Sequence, residues 1–117
     1  MNNRTNLIKK ISKFEADIEP LKVELNSLSY DCDEELYLLT RADVLKVFDR
    51  YLSDEITTKE LSGWANYLEC REDFGYETSS EEVLDRVIFW LANPEINYPV
   101  NKSLVHKLKV QVWNNKI

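Results

Sequence analysis

His106 is the only imidazole in the chain, so any nucleophile–histidine pair or histidine-bearing metal site has to use it. It lies in a lysine-rich C-terminal stretch, far along the sequence from both cysteines. Nothing beside it supplies the orienting partner and pocket that a general base needs, so a surface or helix-packing histidine is expected. Cys32 and Cys70 stand 38 positions apart with no second pair near either. That spacing suggests neither a zinc knuckle nor a disulfide framework, and two reduced thiols are expected. Carboxylates number 21, so pairs such as Asp33 with Glu35 or Glu69 with Asp73 arise without any acid–base role. No stretch matches the spaced oxygen ligands and central glycine of a calcium loop. With only Gly63 and Gly75 present, a glycine-rich phosphate loop cannot be built. The expectation is a non-enzyme with no catalytic residues, no metal and no cofactor. The enzyme alternative is a carboxylate metal site, which requires a bound divalent ion and turnover lost on one carboxylate substitution.

The 117 residues suit one domain spanning 1–117, and 44% hydrophobic residues suffice for a packed core. The net charge of −6 is unevenly spread. Residues 1–30 hold five Lys or Arg against four Asp or Glu, residues 31–85 five against sixteen, and residues 86–117 five against one. The middle is therefore acidic. Such a field repels nucleic acid, attracts a basic partner and speeds association at low salt, although solubility alone also accounts for acidity. The N-terminus lacks the apolar core of a secretory signal and no run is long enough to span a membrane, so a cytoplasmic chain without membrane contact is expected.

The elements that position these groups read as helices. Leu7, Ile11, Phe14, Ile18, Leu21, Leu25 and Leu28 alternate four- and three-residue steps, a heptad seam suited to packing within the domain or, as the alternative, to a coiled coil between chains. Pro20 predicts a kink, or two helices breaking near Glu19. Residues 30–39 read as an acidic connector. Thr40 with Asp43 resembles a capping box opening a helix over about 41–53, and Thr57 with Glu60 opens another over about 58–70. The short link Ser53-Asp54-Glu55-Ile56 predicts that these two form an antiparallel hairpin. Ser79 with Glu82 opens a further helix that buries Val83, Leu84, Val87, Ile88 and Leu91 and ends at Asn93-Pro94. Asn101 or Ser103 caps the last helix. Residues 104–113 also alternate as a strand would, and helix is favoured because no partner strand stands out. The expected fold is all-α: a small bundle of about five helices with a kinked N-terminal heptad-bearing helix.

Residues 69–82 gather six carboxylates around Phe74 and Tyr76. Carboxylates can imitate the phosphate spacing that a nuclease's basic residues meet, and exposed aromatics supply apolar anchors. A solvated loop whose aromatics turn inward to staple the flanking helices is the equal alternative. Trp64 shares helical spacing with Leu61 and Leu68 and is assigned to the core.

From Leu39 to Val100, about half the chain, the strings Trp64-Ala-Asn and Arg71-Glu-Asp-Phe-Gly-Tyr-Glu, with Leu91-Ala-Asn-Pro-Glu-Ile-Asn, resemble small helical bacterial immunity proteins of polymorphic-toxin and contact-dependent growth-inhibition systems. A looser likeness is to the helical immunity protein of colicin D. The resemblance implies a non-enzymatic inhibitor that binds the C-terminal domain of a cognate toxin, often an RNase. It fixes no contact residues. The acidic middle supplies the candidates for the toxin-binding surface: Asp33, Glu34, Glu35, Glu69, Glu72, Asp73 and Glu77 to pair with toxin Lys or Arg, and Tyr76 in a desolvated centre. A monomer in isolation is expected, with an oligomeric coiled-coil adaptor or regulator as the alternative.

Overall fold

Thr40 Oγ1 accepts a hydrogen bond from the Asp43 N–H at 3.1 Å, and the Asp43 carboxylate accepts one from the Thr40 N–H at 3.2 Å, so the first capping box forms. Thr57 and Glu60 repeat it at 3.1 and 2.9 Å. The computed structural model describes residues 3–14, 18–26, 37–69, 74–95 and 99–115. Its described α-helices are α1 (Asn3–Ser12), α2 (Ile18–Asn26), α3 (Arg41–Leu52), α4 (Thr58–Glu69), α5 (Glu81–Ala92) and α6 (Lys102–Asn114). Between them β1 (Leu38–Leu39) and β2 (Gly75–Tyr76) form a short parallel pair, and a 3-10 turn at Thr78–Ser80 leads into α5. The protein is a small all-α bundle, as expected.

The heptad seam splits into two helices, and the break precedes the position expected from Pro20. α1 ends at Ser12, Phe14 adopts a left-handed φ of 51°, and Pro20 falls in the first turn of α2. There a proline removes an N–H that has no intrahelical partner anyway, so it starts a helix instead of kinking one. Leu7, Ile11, Phe14, Ile18 and Leu25 are all buried in the chain's own core, with Leu21 packed against it; Leu28 lies outside the described residues.

The seam is tied down by polar contacts as well. Trp64 is fully buried, and its indole N–H donates to the Ile11 carbonyl at 2.9 Å, which also accepts from the Phe14 N–H, and to the Ser12 carbonyl at 3.2 Å, tying α4 to the end of α1. The Arg50 guanidinium donates to the Phe14 carbonyl and stands 5.4 Å from the Phe14 ring.

The hairpin expected of α3 and α4 is not the packing adopted. α3 packs principally on α6, and α4 on α5. The link keeps the helix ends together, with the Tyr51 and Thr58 hydroxyls 2.9 Å apart, but shortness does not lay the helices side by side. The apolar stripes decide. Leu61, Trp64, Ala65 and Leu68 of α4 and Val83, Leu84, Val87, Ile88 and Leu91 of α5 are buried together, while Val44, Val47, Phe48 and Tyr51 of α3 share the core with Leu104, Val105, Leu108 and Val112 of α6.

Two further local expectations change. The connector at 30–39 ends in β1, where the Leu39 carbonyl and that of Tyr37, just before the strand, accept from the Glu77 and Gly75 N–H groups at 2.9 Å each. Ser79 and Glu82 do not form a capping box, because the chain enters α5 through the 3-10 turn and Ser80 takes the cap position without a side-chain hydrogen bond. Asn101, the first of the two candidates, caps α6 through the Leu104 N–H at 2.8 Å, and residues 104–113 are helical.

Candidate protein-docking face

Along α5 the residues Glu81, Glu82, Asp85, Arg86 and Phe89 are exposed, opposite the buried Val83, Leu84, Val87, Ile88 and Leu91. The 3.6-residue period thus gathers three carboxylates, one guanidinium and one phenyl ring on a single face. Phe89 is 41% exposed, large for a ring with an apolar core close by. Glu69, the last residue of α4, joins this face. With Glu82, Asp85, Arg86, Phe89 and Trp90 it lines an open recess of about 490 Å³. Asn93 Nδ2 donates to both Glu69 oxygens, at 3.2 and 3.3 Å, and fixes that carboxylate at the rim.

Tyr76 stands beside the same face. Its ring meets Phe74 edge-on at 5.4 Å. Burial, and then the charges of Asp85, Glu69 and Glu81, push its hydroxyl well above the usual tyrosine range. The charge contributions come from α4 and α5 together, so the negative potential converges there from two elements.

Three acids of α3 and the link after it are matched by bases. Asp49 pairs with Lys109 at 2.6 Å, Asp54 with Lys102 at 2.8 Å, and Glu55 with Arg50 at 3.1 Å. Among the described residues Glu81, Glu82 and Asp85 have no ion-pair partner. The exposed side of α6 carries Val110 and Trp113, the latter 70% exposed, but two of its three lysines are held by those α3-side acids. His106 is exposed on α6.

Of the residues nominated from sequence, Glu69 and Tyr76 come together at the α5 face. Glu77 is turned elsewhere: its carboxylate accepts from the Arg41 N–H at 2.6 Å, at the start of α3. Asp33, Glu34, Glu35, Glu72 and Asp73 lie outside the described residues, as do Cys32 and Cys70. Phe74 is buried, as the stapling alternative required, and Tyr76 is half-buried. Asp85, Arg86, Phe89 and Trp90 are not among the residues nominated from sequence, because the buried stripe of α5 is its strongest periodic signal. The signal was present in the complementary positions 81, 82, 85 and 89, which keep the same helical period.

Among the described residues no three of His, Cys, Asp and Glu are grouped closely enough to hold a metal ion, and no helix is long and apolar enough to cross a membrane. Comparison of the chain with protein-family models, with curated proteins and with solved structures finds no match.

Proposed function

We propose that this chain is an immunity protein that binds and neutralises a basic toxin domain in the cytoplasm, and that the α5 face is where the toxin docks. The uncompensated charge of Glu81, Glu82 and Asp85, gathered on one helix face beside Glu69 and the exposed Phe89, carries the assignment, whereas Asp49, Asp54 and Glu55 are paired with lysine or arginine. A nuclease is basic where its nucleic acid lies, so an acidic surface with an exposed ring can cover that groove and exclude substrate. Charge supplies fast encounter, and Phe89 with the wall of Trp90 supplies apolar contact that water-exposed ion pairs alone lack. The coiled-coil alternative loses its seam, since Leu7, Ile11, Phe14, Ile18 and Leu25 are buried within the chain.

Co-expression tests the proposal. Where a toxin's C-terminal domain is encoded beside this chain's gene, cells producing it are expected to survive when the chain is present and to die when it is absent. Purified chain and toxin are expected to co-elute. Failure of both rescue and binding overturns the immunity assignment.

A further inference from the structure

Four observations meet at the recess between the end of α4 and the outer face of α5. Glu69, Glu82 and Asp85 set three carboxylates around it against one guanidinium, that of Arg86, so its net charge is negative. Those carboxylates are not grouped closely enough to share one metal ion, so a cation that answers them together has to be extended. Two of the six lining residues, Phe89 and Trp90, are aromatic, and Phe89 is well exposed. Glu69 is held at the rim by Asn93 instead of being neutralised by a base.

We infer that this recess receives an arginine side chain of the basic protein partner, its guanidinium meeting Glu82 and Asp85 and lying against Phe89 and Trp90. The inference rests on the partner being a basic protein domain, as proposed above, and adds which side chain it presents. A guanidinium is planar, weakly hydrated and able to donate to two carboxylates while its face stacks on a ring. A lysine ammonium is a compact, strongly hydrated point charge that meets one carboxylate and gains less from the ring. Arg86 does not fill the role, because it makes no ion pair with its neighbours on α5 among the described residues.

The test uses the full chain and two blocked pentapeptides of equal charge, one with two arginines spaced by glycine and the other with two lysines in their place. Titration is followed by the indole N–H signal of Trp90 and the amides of 81–90 in two-dimensional NMR. The arginine peptide is expected to bind at least fivefold tighter than the lysine peptide and to shift those signals. Glu82→Gln with Asp85→Asn, both at exposed positions, is expected to weaken it about tenfold with the thermal midpoint kept. Phe89→Ala is expected to bring the two peptides to the same affinity. Equal affinity for both peptides in the parent chain, shifts on another face, or undiminished binding by the double variant overturns the inference. Rescue from the toxin without arginine preference overturns the recess alone. Arginine preference with neither rescue nor toxin binding overturns the immunity assignment and leaves the recess standing.

Discussion

The Glu77 carboxylate and the Arg41 backbone N–H lie 2.6 Å apart and join the end of β2 to the start of α3. Arg41 carries the connection onward, since its Nη1 donates to the Trp113 carbonyl at 3.0 Å and the Val112 carbonyl at 3.4 Å. One residue thus links the first turn of α3 to the last carbonyls of α6. A negative group at a helix N-terminus and a positive one at a C-terminus are each the favourable sign for the helix dipole.

Glu77→Gln is accordingly expected to lower stability by about 1 kcal/mol, the scale of a charged contact at a helix N-terminus. Urea denaturation reads it as a lower midpoint at unchanged slope. If Glu77 serves only this helix, the association rate with toxin is expected to stay within about twofold of the parent, since one charge away from the contact adds little steering.

Trp64→Phe keeps a ring in the core but deletes the donor to Ile11 and Ser12. The Ser12 carbonyl then loses its indole donor while the Ile11 carbonyl keeps the Phe14 N–H, which costs about 1 kcal/mol. The loss is local, so hydrogen exchange of the α1 amides is expected to accelerate more than that of α5 or α6. Uniform acceleration across all the helices would contradict a latch between α4 and α1.

Helices were legible in the sequence where a cap and a period coincide. Thr40 with Asp43, Thr57 with Glu60, and Asn101 each mark a start, because the donor and acceptor that satisfy it lie within three residues. Non-local choices were not legible. Leu38–Leu39 and Gly75–Tyr76 are too short to show a strand period, and their pairing spans 37 positions. The partner exchange that sets α3 on α6 and α4 on α5 depends on how four apolar stripes fit at once, which no single link encodes. The α5 face fell between the two cases. Its period was readable, but that Lys102 and Lys109 pair with Asp54 and Asp49 and not with Glu81, Glu82 or Asp85 is a matter of tertiary packing.

Charge reversal separates the α5 face from the rest of the surface. Asp85→Lys with Glu82→Lys is expected to slow toxin association by about tenfold or more at low salt and to flatten its salt dependence, because steering scales with the product of the two fields and is screened by ions. Glu95→Lys, an exposed carboxylate beyond the end of α5, is expected to change the rate by less than about twofold. Stopped-flow association between about 20 and 500 mM salt, over which the Debye length falls from about 21 to about 4 Å, is the measurement. Equal slowing by both variants would move the contact away from the α5 face.

Tyr76 offers a pH readout of the same potential. In the unfolded chain its hydroxyl ionises near the ordinary value of 10.0, whereas burial and then Asp85, Glu69 and Glu81 hold it protonated in the fold to higher pH. Above about pH 10 the folded state therefore binds more protons than the unfolded one, and stability falls as pH rises by up to about 1.4 kcal/mol per unit from this group. Below that pH the contribution is fully present. Tyr76→Phe removes the group that titrates, so its stability is expected to fall less steeply between pH 10 and 11 than that of the parent chain. Asp85→Asn, which removes the largest of the three charge contributions, is expected to leave the onset of the loss near pH 10 unchanged but to end it at lower pH, because the folded tyrosine then ionises at lower pH than in the parent. Identical alkaline slopes for the parent and Tyr76→Phe, measured by urea denaturation, would show that the carboxylates of α4 and α5 do not converge on Tyr76.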